Sequence, residues 1–289
     1  MASVTITEFT DPGCPVAWSA EPARRRLSWL YGEQLEWRPR MVGLAEHGDE
    51  IVRRGFTPER QAATLKHLAE TYGMPIDTSV RPRMAATMPA CRAVVATRCN
   101  APESERAVLR ALRVLNWSGR LLDETETLRD AAALAGIDGD DLESWMSDVD
   151  TDEALADDLR LARDPTPAAL ALVHKLARTG EGDGDGDGDT GGYRYTCPSY
   201  ELRCGEDTLS VPGMQPAASY EVAVANLAPE LERRAEPSGV AEVLRWAGEP
   251  LASAEVAAVS GIDLRDAREQ LGRVATERHL GADGLWSLI

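Results

Sequence analysis

In Asp11-Pro12-Gly13-Cys14-Pro15-Val16-Ala17-Trp18 a short apolar run ends and a helix begins, with a cysteine at the junction. Val4, Ile6 and Phe9 come first and are bounded by Asp11, Pro12 and Gly13, the pattern of a buried strand followed by a turn. Pro15 fits the first helical position, where its missing amide would have had no intrahelical acceptor. Cys14 therefore falls at the N-cap. There the unpaired amides and the positive end of the helix dipole favour thiolate over thiol. A cysteine so placed can titrate at roughly 3.5 to 7.5 rather than about 8.5, which makes it a nucleophile at neutral pH. The competing reading is a small buried cysteine that caps a helix and does no chemistry.

After a helix holding Trp18, Leu27 and Leu30, Gly32 turns the chain into Leu35, Trp37, Arg38, Met41 and Val42, a second strand. Strand, helix and strand make a βαβ unit. From about Thr57 to Thr179 alternation disappears and helical spacing takes over. Thr57 and Pro58 open one helix towards Tyr72; Met88 or Pro89 opens another through Cys91, Val94 and Val95 to Cys99. On one helix those two cysteines would lie about 12 Å apart along the axis, too far to bond. Val108, Leu109, Leu112 and Leu115 stripe a third helix, and shorter ones surround Leu128, Leu142 and Leu155. A last helix is expected after Pro165, through Leu170, Leu172 and Leu176. Residues 193–203 and 208–211 then read as a hairpin turning at Cys204-Gly205-Glu206-Asp207, with 216–227 as the closing helix.

These residues resemble the DsbA family of thioredoxin-fold proteins, in its FrnE-like branch. Pro22 matches the kinking proline that the fold carries eight residues after its first active-site cysteine. Tyr195-Thr196-Cys197-Pro198-Ser199-Tyr200-Glu201-Leu202 resembles the segment with the family's cis-proline, which Pro198 would be. Val211-Pro212-Gly213-Met214-Gln215-Pro216 matches the turn beyond it. The resemblance covers about residues 1 to 234. It implies an α/β thioredoxin fold with a large helical insertion, about 44–179, that walls one side of a substrate groove. It also implies Cys14 as catalytic nucleophile, with Pro15, Ala17, Trp18, Thr196, Cys197 and Pro198 at the substrate edge.

Two departures from the family bear on mechanism. Dithiol members carry Cys-x-x-Cys, whereas the fourth position here is Ala17. Exchange passes through a mixed disulfide that a second thiol normally displaces, so a lone Cys14 would hold its adduct until an outside thiol removed it. The other departure is Cys197, next to the expected cis-proline. In thioredoxin-like folds that residue packs beside the active-site sulfur, so the resemblance implies that Cys14 and Cys197 face each other.

The chain has 289 residues, 48 acidic and 31 basic, for a formal charge of -17, and its lysines are Lys66 and Lys175 alone. Such a surface repels phosphate backbones and anionic membrane faces, so neither nucleic acid nor membrane is an expected partner. Five cysteines with no export signal at the start argue for redox use or inert burial in a cytoplasmic protein rather than a disulfide framework. His47, His67, His174 and His279 show no metal-ligand spacing, and no metal site is expected. Residues 180–192 alternate Gly and Asp. Asp183, Asp185 and Asp187 imitate the start of a calcium loop, but Arg194 stands where its bidentate glutamate belongs, so a flexible acidic linker is expected.

Residues 237–289 read as a separate small α+β unit: a helix at Val240, Val243 and Leu244, another over 251–259, a turn at Ser260-Gly261-Ile262, a helix over 263–276, and a hairpin over 280–288 with Asp283-Gly284 at its tip. The order resembles a winged helix. Its five arginines face eight acids, a net of -3, which argues against DNA and for packing or contact with a protein partner.

Three functions stay open. The first is a thiol-disulfide oxidoreductase, or a related transferase or isomerase of the kappa-class or hydroxychromene-carboxylate type. It would act through Cys14 with no tightly bound cofactor, using a small thiol such as glutathione or mycothiol, or a protein thiol or disulfide. The second is a non-catalytic adaptor, as among the family's protease adaptors. The third is a redox sensor that closes a Cys14–Cys197 disulfide.

Overall fold

A computed structural model describes residues 3–179 and 192–289, so the acidic run lies outside the described residues except for Gly192. The apolar run at the start forms β1 (Val4–Thr10), paired in parallel with β2 (Leu35–Met41) so that Ile6 lies opposite Trp37. Between them come α1 (Pro15–Ser19) and α2 (Glu21–Tyr31). Pro22 lies in the first turn of α2, and the expected kink is a break between two helices at Ala20.

The insertion is helical, as the periodicity requires. It contains α3 (Gly48–Arg53), α4 (Pro58–Tyr72), α5 (Met88–Asn100), α6 (Glu105–Trp117), α7 (Thr125–Leu134), α8 (Gly139–Met146), α9 (Val149–Ala162) and α10 (Pro167–Leu170). The sequence does not announce α3, because its six residues bury Glu50 and no apolar stripe. In α5, Ala90, Cys91, Ala93, Val94, Val95 and Ala96 are all fully buried, which is why its apolar residues surround the helix rather than stripe it. Asp158 on α9 anchors the block to the sheet. Its buried carboxylate accepts from the Met41 amide at 2.9 Å and pairs with Arg40 at 2.8 Å and Arg98 at 2.9 Å.

Beyond Pro165 the expected long helix is a single turn, α10, capped by Thr166. Leu170, Leu172 and Val173 are exposed, so no buried face supports further turns. The chain instead makes a 3-10 turn at Val173–Lys175 and enters β3 (Ala177–Arg178), which pairs with β4 (Tyr193–Arg194). Next come β5 (Ser199–Cys204), β6 (Asp207–Val211) and α11 (Ala217–Leu227). The strand expected over 193–203 is broken at Tyr195–Pro198, where the Cys197–Pro198 peptide is cis. Among the described residues the main sheet has four strands in the order β2-β1-β5-β6, with β5 antiparallel to β1.

The last elements are α12 (Val240–Ala247), β7 (Leu251–Ala252), α13 (Ser253–Ser260), α14 (Leu264–Val274), β8 (Ala275–Leu280) and β9 (Asp283–Leu288). Leu251 and Ala252 belong to a strand rather than a helix, paired with Trp286 and Leu285. The hairpin tip lies at Gly281, not Asp283-Gly284: Gly281 takes φ +63°, and Leu280 pairs with Asp283 to close the ladder. Asp283 is buried, accepting from Ser253 Oγ at 2.8 Å and pairing with Arg268 at 3.2 Å. Val243, Leu244, Val256, Val259 and Trp286 join one buried cluster with Val4, Ile6, Leu27 and Trp29 of the sheet and α2.

Candidate thiol site

Cys14 caps α1 as the sequence requires: Pro15 is the first helical residue, and the Cys14 sulfur accepts from the Ala17 amide at 3.5 Å. The preceding turn is built on Asp11. Its Oδ1 accepts from the Gly13 amide at 2.7 Å, and its Oδ2 accepts from the Leu44 amide at 2.8 Å and Thr87 Oγ1 at 2.9 Å. The Cys91 thiol donates to the same oxygen at 3.4 Å. One buried carboxylate thus ties the Cys14 loop to the strand exit and to the start of α5. Gly13 is required by close approach, since a Cβ there would lie 2.5 Å from Thr87 Cγ2.

Cys197 comes to Cys14 from the opposite side. The Cys14 Sγ lies 3.4 Å from the Cys197 carbonyl oxygen, and both residues sit in one apolar cluster with Phe9, Ala17, Ala162 and Tyr195. Both are nearly covered, at 6% and 8% exposure, and both thiols are free. The turn before the cis peptide is held firmly. Tyr195 stacks on Phe9 at 3.9 Å between centroids, and its hydroxyl donates to Glu201 at 2.6 Å. Thr196 Oγ1 donates to the Lys175 carbonyl at 2.8 Å, and Ser199 Oγ donates to the Thr196 carbonyl at 2.6 Å.

The electrostatics separate the two sulfurs. A hydrogen bond from the Cys197 thiol holds the Cys14 thiol below its usual range; burial opposes this, and the Ala17 amide adds to it. Burial pushes Cys197 well up, and the Cys14 sulfur pushes it further. Burial likewise raises Cys91 well above the ordinary thiol range, beside the Asp11 carboxylate, and raises Cys99. Cys14 is thus the thiol biased towards the nucleophilic form.

Of the other expected site residues, Pro15 and Thr196 are half-buried at the rim, while Ala17 and Pro198 are buried. Trp18 is fully covered, and so is Trp117. The Trp18 indole N–H donates to the Pro75 carbonyl at 3.0 Å, and the Arg110 guanidinium stands 4.7 Å from its ring centre. This side chain anchors α1 to the insertion. Asp11 and Cys91 also line the site, although the sequence pattern assigns them no role there. An Asp two residues before a Gly that leads into a capping Cys is the available signal, since it predicts the side-chain-to-backbone turn. Among the described residues no group of His, Cys, Asp and Glu could hold a metal ion, and no helix is long and apolar enough to cross a membrane.

A capping cysteine at the end of β1 and a cis-proline at the head of β5, on a sheet interrupted by a helical block, define a thioredoxin-fold protein of the DsbA type. The family model of the DSBA-like thioredoxin domain matches residues 5–165, more than half of the chain, and the chain belongs to that family. Among curated proteins it is 26% identical over 167 residues to the ClpXP adapter protein SpxH of Halalkalibacterium halodurans, covering 55% of this chain and 54% of that protein. The chain therefore spans about half the length of the curated relative it matches. Among solved structures it is similar to a candidate protein disulfide isomerase from Nitrosomonas europaea, with TM-score 0.58 and 16% identity over 79% of this chain and 98% of that one. It is also similar to the cytosolic disulfide reductase DsbM from Pseudomonas aeruginosa, with TM-score 0.52 and 16% identity over 77% of this chain and 99% of that one. At such identity the likeness is one of fold.

Proposed function

We propose that the protein is a cytoplasmic thiol-disulfide exchange enzyme in which Cys14 attacks a disulfide, with a small thiol of the glutathione or mycothiol type, or a protein thiol, as co-reactant. The observation that carries this reading is the environment of the Cys14 sulfur, which receives the Ala17 amide and has a second thiol beside it. Pro15, Thr196 and Pro198 border the thiol and are read as the substrate edge, with Ala17, Trp18 and Cys197 supporting it from behind. Residues 237–289 are read as a winged-helix-like unit used for packing, because Arg268 and Arg273 are engaged by Asp283 and Glu269 rather than offered to phosphates. The test is reduction of bis(2-hydroxyethyl) disulfide at the expense of glutathione, followed in wild type and Cys14→Ser. Turnover lost in the variant, with the fold retained by circular dichroism, supports the enzyme; equal rates in both proteins exclude it.

A second reading, a protease adaptor, draws on the 26% identity to SpxH. It predicts partner binding that survives Cys14→Ser unchanged.

A further inference from the structure

We propose that Cys197 is the resolving thiol of this protein, closing a Cys14–Cys197 disulfide across the fold in place of the absent second cysteine of the helix. The inference rests on the reading of Cys14 as nucleophile and deepens it. A resolving group must reach the sulfur that carries the adduct, and the remaining cysteines do not share its pocket. Cys91 is turned to Asp11, Cys99 is exposed at the end of α5, and Cys204 lies at the far end of β5, 4.0 Å from Glu230. Cys197 meets the requirement, since the Cys14 sulfur already touches its backbone at 3.4 Å inside a shared apolar cluster. Its segment is held from several sides, by Tyr195 on Phe9, Thr196 on Lys175 and Ser199 on Thr196, so the second sulfur is presented rather than recruited. The roles are ordered by the environment: Cys14 is held low and attacks first, whereas Cys197 is kept protonated by burial until an adduct exists.

The steps balance. The Cys14 thiolate attacks a disulfide R–S–S–R′, forming Cys14–S–S–R and expelling R′S⁻, which leaves as R′SH with the Cys14 proton. Cys197 then attacks the Cys14 sulfur, the mixed bond breaks, and RS⁻ leaves as RSH with the Cys197 proton. The substrate disulfide is reduced to two thiols and the protein is oxidised by two electrons.

The test uses the full chain with oxidised glutathione as probe, acid-quenched and followed by intact mass and peptide mapping. Wild type, Cys197→Ser, Cys197→Ala and Cys14→Ser are compared. Expected is a transient glutathione adduct on Cys14 in wild type that gives way to a cross-linked Cys14–Cys197 peptide pair. In both Cys197 variants the same adduct persists, with a lifetime longer by on the order of tenfold or more, as removal of the displacing thiol demands. The peptide map of wild type decides the matter even if either variant fails to fold. An adduct on Cys14 that is as long-lived in wild type as in the Cys197 variants, with no cross-linked pair, overturns the proposal and leaves a monothiol enzyme. Absence of both a Cys14 adduct and a cross-linked pair in wild type overturns this inference and the reading of Cys14 as nucleophile together.

Discussion

Asp11 and Cys14 stand three residues apart and act on each other in opposite senses. The carboxylate organises the loop that presents the sulfur, yet its charge opposes the thiolate, pushing the Cys14 titration upward against the hydrogen bonds from Cys197 and Ala17. Asp11→Asn removes that charge while keeping an acceptor oxygen. The expected result is a shift of the Cys14 iodoacetamide-labelling profile to lower pH, because less opposing charge lets the thiolate form earlier. A stability loss of about 1–3 kcal/mol should accompany it, since at least one of the buried donors now aimed at the carboxylate is left unpaired. Labelling rates mapped by peptide mass, together with urea denaturation, check both. A profile shifted to higher pH would contradict the account.

At the scale of elements, the helical insertion is fastened to the sheet by ions placed where water is scarce. Glu105 opens α6, and its carboxyl is raised from 4.5 to about 7, by burial first and then by Asp158, with Arg98 pulling the other way. A carboxyl whose folded value lies above its unfolded one binds its proton more tightly in the folded state. Its favourable contribution is therefore fully present below about 4.5 and is lost as pH rises through about 7. Glu105→Gln mimics the protonated form at every pH. Measured against wild type, its unfolding free energy should improve between pH 5 and pH 8 by about 1–3 kcal/mol. Denaturant titrations at the two pH values give the difference directly, and a change of the opposite sign would refute the assignment.

Across the whole molecule, the C-terminal elements are bound to the thioredoxin body by a buried ionic joint as well as a shared apolar core. Glu255 on α13 is fully buried, accepting from Arg110 of α6 at 2.6 and 2.9 Å and from Arg25 of α2 at 3.2 Å. Arg110 in turn lies over the Trp18 ring on α1, the helix that Cys14 caps. Glu255→Ala leaves Arg25 and Arg110 to share the half-buried Glu249 alone and removes the acceptor of the Ala252 amide. A loss of about 3–5 kcal/mol is expected, as for a buried pair stripped of one partner. Unfolding should stay a single transition, with exchange protection in α13 and in β1 lost together, because Val256 and Ile6 belong to one cluster. Early loss of protection confined to 240–288 would show the joint to be weaker than its geometry.

Local rules make much of this chain legible from its residues alone. The capping cysteine, the βαβ opening and the helical block follow from i, i+1 and i, i+4 relations, which operate over a few residues and are written in the pattern itself. Where two local signals competed, the outcome lay elsewhere: Asp283-Gly284 reads as a turn, but Gly281 takes it because Asp283 is drawn inward to Ser253 and Arg268. Sequence similarity implied a partner for Cys14, and periodicity alone offered none. Tertiary structure decided that the strongest influence on the Cys14 sulfur comes from Cys197, 183 positions away, and that Asp11 serves four donors drawn from three segments. It also joined Glu255 to Arg25 and Arg110. Hydrogen bonds and ion pairs depend on distance in space, and in a folded chain that distance is set by the packing of whole elements rather than by separation along the backbone.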